Sequence, residues 1–340
     1  MTTRSDSWTL AKALGKILTL PALAVISILW LATPSQAQIA LEVGQGSARI
    51  WRSGAEPESL ALGRHHKPRF AVAAEGGVVI AGDDQGSGDL FFLYHRNGST
   101  AELPTLPFQT EPLRTAPVLL TDGDRMEGVV WLEGTGQDDF SIRASIWNGS
   151  SWEHIEIVSP ATGRAQLALA STVLDDGTWL VLWAGYDGTD DDIFWSRRVD
   201  GEWTSARRVH ADNGVPDVLP TVIAHGDTAH AAWSFFDGAD YRVRTARWNG
   251  SRWTTGETLD GRGTVKPELE TRDGRSFVSY RSVEPEVWNL VELDRSGNTR
   301  ARAFVEPYEE RPLVVIDSRA QATLSWPWRS ASRKPMEPRR

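Results

Sequence analysis

A period near 50 residues runs through almost the whole chain, and no other feature limits the fold so strongly. Short apolar runs ending in an aromatic recur as Val129-Val130-Trp131, Leu180-Val181-Leu182-Trp183, Ala231-Ala232-Trp233, Val278-Ser279-Tyr280 and Leu324-Ser325-Trp326. Their last residues lie 52, 50, 47 and 46 apart. Val79-Ile80-Ala81 fits 50 residues before Trp131, with a small residue in place of the aromatic. Six copies are therefore expected. A unit of this length cannot bury its apolar faces alone, so its copies must stack on one another.

Three further landmarks recur in phase. A turn dipeptide follows each of the first five runs, at Asn97-Gly98, Asn148-Gly149, Asp200-Gly201, Asn249-Gly250 and Ser296-Gly297. Asn-Gly and Asp-Gly favour the positive φ of a tight hairpin. An acid precedes the strand that enters each hairpin, at Asp89, Asp139, Asp192, Asp240 and Glu286, and is expected to cap a turn by accepting backbone N–H groups. A proline opens most units, at Pro68, Pro117, Pro220, Pro267 and Pro312, and only the third unit lacks it. Each unit reads as four short strands, and no amphipathic helix of normal length follows residue 38. The pattern predicts an all-β, six-bladed β-propeller of four-stranded blades over residues 38–329. The sixth unit stops after its second strand, while Ile50-Trp51-Arg52-Ser53-Gly54 repeats the third-strand pattern of Leu293-Asp294-Arg295-Ser296-Gly297. N-terminal strands are thus expected to complete the last blade and close the ring. Residues 330–340 read as a disordered basic tail.

Composition excludes several functions. With no Cys there is no disulfide framework and no thiolate metal or redox centre. The 45 acidic residues outnumber the 36 basic ones, which argues against nucleic acid as a partner. The 16 Trp residues suit packing between blades. Residues 1–16 carry Arg4, Lys12 and Lys16, then come the apolar run 17–32 and the small, polar segment 33–37. This is the layout of a signal peptide over residues 1–37, cleaved after Ala37. The apolar run, broken by Pro21 and Ser27, falls short of the ~20 residues that span a bilayer. An exported protein, periplasmic or extracellular, with no transmembrane segment in the mature chain is expected.

In such a propeller the loops joining strand 2 to 3, and strand 4 to the next strand 1, share one face. Residues there that depart from the repeat are the candidate ligand-binding groups: Glu133, Asp187, Asp237, Tyr308 and Trp328. Acids, arginines and aromatics around an opening suit a polyhydroxylated ligand, with rings stacking and charges fixing orientation. The expected partner is a glycan or a cell-envelope protein. In the loop 187–192, Asp187, Asp190 and Asp192 offer oxygen ligands for Ca²⁺. The loop lacks the Asp-x-Asp-x-Asp-Gly spacing, so a solvated acidic turn is the preferred reading, and no cofactor or metal is required. His65 and His66 are adjacent on an extended strand and point to opposite sides. There is no Gly-x-Ser-x-Gly, Walker loop or His-Glu-x-x-His.

The unit, with its strand-2 aromatic, acid-led third strand and Asp/Asn-Gly hairpin followed by Trp, resembles the bacterial sialidase-like, Asp-box-related six-bladed propellers. Val199-Asp200-Gly201-Glu202-Trp203 is a worn Asp box at the place where sialidases carry theirs. The resemblance implies an arginine triad for a substrate carboxylate, an aspartic acid/base and a Tyr/Glu nucleophilic pair. It assigns Arg69, Arg281 and Arg311 to the triad, Asp84 or Asp89 to the acid and Glu268 to the glutamate. Phe70-Ala71 stands where the family's Arg-Ile-Pro would continue. The late tyrosine is missing, since the last one, Tyr308, precedes Arg311. The expected function is a non-catalytic carbohydrate- or protein-binding module, the alternative being a divergent exo-sialidase.

Overall fold

The computed structural model describes residues 27–31, 39–44, 47–52, 58–107, 113–135, 139–305, 313–316 and 322–325. Every regular element among them is a β-strand. At the N-terminus β1 (Ser27–Leu31), β2 (Ile39–Gly44), β3 (Ser47–Arg52) and β4 (Glu58–Ala61) form one four-stranded antiparallel sheet. Five blades follow. Blade 1 holds β5 (His66–Ala74), β6 (Gly77–Asp84), β7 (Asp89–Arg96) and β8 (Ser99–Glu102). Blade 2 holds β9 (Leu113–Asp122), β10 (Arg125–Gly134), β11 (Phe140–Trp147) and β12 (Trp152–Ser159). In blade 3, β13 (Gln166–Val173), β14 (Trp179–Tyr186) and β15 (Asp191–Val199) precede a fourth strand broken into β16 (Glu202–Trp203) and β17 (Arg207–Arg208). Blade 4 holds β18 (Asp217–His225), β19 (Thr228–Phe236), β20 (Tyr241–Trp248) and β21 (Trp253–Thr258). Blade 5 holds β22 (Val265–Arg272), β23 (Arg275–Val283), β24 (Glu286–Leu293) and β25 (Thr299–Val305). A two-stranded sheet of β26 (Leu313–Ile316) and β27 (Ala322–Ser325) comes last.

Among the described residues the chain is therefore a β-propeller with five four-stranded blades, which corrects the expected six. Ring closure by N-terminal strands is not shown among the described residues. Those strands pair with one another, and among the described residues none joins β26 or β27. Ser27–Leu31, from the apolar run read as a leader, pairs with β2 as an edge strand of the N-terminal sheet, whose Ala48, Ile50 and Leu60 pack against blade 1.

The second strand of each blade is buried on both faces, as β6, β14 and β19 show along nearly their whole length. A strand covered on both sides reads as a continuous apolar run rather than an alternating one, which is why these runs carry the period. Alternate side chains along them enter different cores, because successive residues of a strand point to opposite faces. Leu180 and Leu182 pack with Ala231 and Trp233 of blade 4, whereas Val181 and Trp183 pack with Val130 and Ile142 of blade 2. Trp131, Trp183, Trp233 and Tyr280 each fill the seam toward the preceding blade. The recurring aromatic is thus the seal between blades. Gly128 on β10 admits the ring of Trp179 from blade 3: a Cβ there would lie 2.3 Å from its Cη2 and 2.6 Å from the Ser145 carbonyl.

The proline that opens a unit marks a bulge on the innermost strand. Ala116, Ala168, Leu219 and Lys266 have φ of 53°, 53°, 55° and 49°, and Pro117, Pro220 and Pro267 follow three of them. Pairing to the second strand shifts register at each of these points. A bulge leaves a residue without a ladder partner, so proline's missing N–H costs nothing there.

Candidate functional site

The turns between second and third strands, with the connections from fourth strands to the next first strands, gather two polar networks. The first spans blades 1 and 2. Arg114, the second residue of β9, is buried and donates to Asp89 Oδ1 at 2.5 Å and to Glu133 Oε2 at 3.0 Å. Arg143 Nε lies 3.1 Å from the other Glu133 oxygen. Beside them Asp83 accepts from Arg69 Nε at 2.6 Å, from Thr115 Oγ1 at 3.2 Å and from the bulged Ala116 N–H at 3.1 Å. One carboxylate thereby fixes Arg69 and the strained residue of the next blade. The structure brings Arg69 and Glu133 into this neighbourhood, Glu133 held between two guanidinium groups.

The second network lies at the seam of blades 3 and 4. Arg208 on β17 donates to Asp187, places Nε 2.6 Å from Asp192 Oδ2 and lies 3.6 Å from Asp212. His210 Nε2 is 3.5 Å from Asp217 Oδ2, and its ring stacks on Trp233 with centroids 5.4 Å apart. Asp217 accepts from Trp233 Nε1 at 2.5 Å and from Asn213 Nδ2 at 2.8 Å. Donor atoms of Asp192, His210 and Asp217 lie within 4.8 Å of one another, as do those of Asp187, Asp192 and Asp212. Burial, reinforced by the neighbouring acids Asp192, Asp187, Asp212 and Asp217, pushes the Asp190 carboxyl up to about 6. Burial also raises Asp192 and Asp217 above the usual carboxylate range.

The other candidates sit as follows. Asp84 accepts from Gly86 N and Ser87 Oγ, Asp187 from Thr189 N and Asp190 N, and Asp237 from Ala239 N and Asp240 N. Backbone N–H groups hold all three carboxyls below their ordinary range. These three cap the turns, which corrects the role expected of the recurring acids: Asp89 and Asp192 instead face Arg114 and Arg208, because the turn amides point at the residue that opens the turn. Arg281 pairs with Glu286 at 2.5 Å, and Lys266 Nζ approaches Glu268 to 3.7 Å. Arg69 and Arg281 are each engaged by an acid of their own blade. Arg311, Tyr308 and Trp328 lie outside the described residues.

Arg114, Arg143, Arg208, His210 and Asp217 were not legible as site residues. The one available signal was the third unit's missing proline together with the polar connection 207–217, where His210 and Asp217 flank the Asn213-Gly214 turn. On the opposite face a groove of about 470 Å³ is lined by His225, His230, Arg275, Glu292, Asp294 and Arg300. Its charges are paired, Arg275 and Arg300 both donating to Glu292.

A β-propeller with an arginine- and acid-rich face between blades is a scaffold shared by enzymes and binding proteins alike. In fold the chain is similar to a PL25 ulvan lyase bound to -[GlcA(1-4)Rha3S]-, with TM-score 0.55 and 12% identity over 80% of this chain and 81% of that one. It is also similar to the polysaccharide lyase Uly1, with TM-score 0.53 and 9% identity over 88% and 85%. A third likeness is to the fucose-specific lectin from Aleuria aurantia, with TM-score 0.52 and 11% identity over 83% and 96%. No protein-family model matches the sequence, and no curated protein does.

Proposed function

We propose that this propeller is an exported carbohydrate-binding module that holds a glycan on the face carrying the two networks, without turning it over. The observation that carries the reading is the rim of blades 3 and 4. There the half-buried rings of Tyr186, Phe236 and Tyr241 flank the fixed charges of Asp187, Asp237 and Arg242, with the Phe236 and Tyr241 centroids 5.5 Å apart. Rings present an apolar face to a sugar's C–H surface, and oriented polar groups read its hydroxyls. Fold neighbours that include polysaccharide lyases and a lectin support a carbohydrate ligand. Arg69 gives Nε to Asp83 and Arg281 gives Nη2 to Glu286, so each charge is already balanced by an acid of its own blade, which favours binding over sialoside hydrolysis.

Export through the leader would remove β1 and leave β2 as the first strand of the N-terminal sheet. The test uses protein recovered from the exported fraction, whose intact mass reports cleavage after Ala37. A glycan array is expected to retain it, with Tyr186→Ala and Tyr241→Ala together lowering affinity about tenfold. Fluorogenic sialosides and ulvan are expected to stay intact. Sialoside turnover that disappears in Arg69→Ala would establish the divergent hydrolase instead, and an array with no retained glycan would remove the carbohydrate reading.

A further inference from the structure

The seam between blades 3 and 4 holds a set of polar side chains whose burial has no counterpart in the hydrogen bonds they make. Asp192 and Asp217 are 0% exposed, Asp190 is 7% exposed, and the His210 side chain is 5% exposed. Neither oxygen of Asp190 makes a hydrogen bond, nor does either oxygen of Asp192. Arg208 Nε, 2.6 Å from Asp192, is off-axis for one. Asp192 thus has the charge of Arg208 beside it but no hydrogen bond to either oxygen, and buried carboxylates left short of hydrogen bonds are normally completed by further donors or a metal.

His210 sharpens the point. Its Nδ1 lies 2.7 Å from the carbonyl oxygen of Ala211. A carbonyl only accepts, so Nδ1 carries a proton, which leaves Nε2 as the atom open to a second proton or a metal ion. That atom makes no hydrogen bond and faces the carboxylates of Asp217 and Asp192. An imidazole nitrogen set against two carboxylates calls for a positive charge between them, either a second ring proton or a metal ion. The arrangement is that of a metal-binding histidine whose other nitrogen is fixed by a backbone carbonyl.

We propose that Asp192, His210 and Asp217 bind a divalent transition metal of the zinc or manganese class, which joins blade 3 to blade 4. Asp192 comes from β15 of blade 3, Asp217 opens the innermost strand of blade 4, and His210 lies on the connection between them. The supports for the ligands are in place. Trp233 donates to Asp217 and stacks on His210, Asn213 orients the same carboxylate, and Ala211 sets the histidine tautomer. Ligand atoms around a tetrahedral metal at ~2.0–2.2 Å stand roughly 3.3–3.6 Å apart, so atoms within 4.8 Å of one another close on it by side-chain rotation. The imidazole nitrogen favours zinc over calcium, and the two carboxylates leave manganese as the next candidate. Asp212, exposed and grouped with Asp187 and Asp192, gives a cation a carboxylate-lined route inward. Asp187 itself is committed to two turn amides and Arg208, which moves the cation from the loop 187–192 to the seam. The site stands independently of the glycan reading.

Calorimetric titration of the chelator-treated full chain with zinc chloride, manganese chloride or calcium chloride tests the site. One equivalent of zinc or manganese is expected, bound at least tenfold more tightly than calcium and raising Tm. His210→Gln and Asp217→Asn should each weaken that binding about a hundredfold or more, while Asp200→Asn, on an exposed hairpin of the other face, should leave it unchanged. No saturable binding, a preference for calcium, or binding by both variants as tight as that of the wild type would overturn the proposal. If the variants do not fold, the wild-type chain loaded with Co²⁺ decides alone: its X-ray absorption spectrum must show one imidazole ligand, and a shell of oxygen only would refute it.

Discussion

Arg114 carries more of the seam between blades 1 and 2 than its single charge suggests. It is 4% exposed and holds one acid from each blade, Asp89 and Glu133. Removing one partner of a buried pair leaves the others charged and desolvated, which costs about 3–5 kcal/mol. Arg114→Met should lower the unfolding free energy by that amount in urea denaturation, and Asp89→Asn by less, since Asp89 is partly open to solvent. The acids also show what a sequence leaves undetermined. Asp84 and Asp89, like Asp187 and Asp192, stand five apart, and both members of each pair recur near the same turn. Which one takes the backbone amides depends on where the turn's N–H groups point, a property of φ and ψ that residue type does not carry. Arg114 and Arg208 escaped for a related reason: an arginine's partners come from other strands, and nothing local to it names them.

Among the elements, the bulge on each innermost strand is the most informative. The proline in phase with the period was legible; the positive φ before it was not. That conformation costs a residue bearing a Cβ roughly 1–2 kcal/mol. Ala116→Gly should therefore be neutral or stabilise by up to about 1 kcal/mol, the relief being offset by glycine's greater loss of entropy. Ala116→Val should destabilise by more than about 1 kcal/mol, with thermal unfolding as the measurement. The blade count was less legible than the blade itself. Leu324-Ser325-Trp326 continues the repeat, yet its strand pairs with only one other among the described residues. Ser27–Leu31 has the apolar composition of both a leader and a buried strand, and composition alone does not separate the two.

For the molecule as a whole, the seam of blades 4 and 5 sets a limit on the acid side. His230 is 2% exposed and neither ring nitrogen makes a hydrogen bond. Burial first, then the positive charge of His225 and Arg247, lowers its pKa to about 4, against the pull of Asp294. In the unfolded chain the same group takes a proton near ~6.5. Between these values the unfolded state binds more protons, so stability rises with pH across the window. The contribution is complete above about pH 6.5 and is lost as pH falls toward 4, an effect of at most about 3 kcal/mol. Urea midpoints at neutral pH and near pH 4.5 should diverge in the wild type and converge in His230→Leu.

Fourth strands form the outer edges of the blades, and those of blades 1 and 3 are the least regular. All four residues of β8 are exposed, and the fourth strand of blade 3 is broken into two dipeptides containing Glu202, Arg207 and Arg208. A long, flat outer strand would offer unpaired N–H and C=O groups to a second molecule as a template for sheet extension. Short, polar, interrupted ones do not. The irregular outer edges of blades 1 and 3 thus disfavour sheet extension between molecules at those two blades.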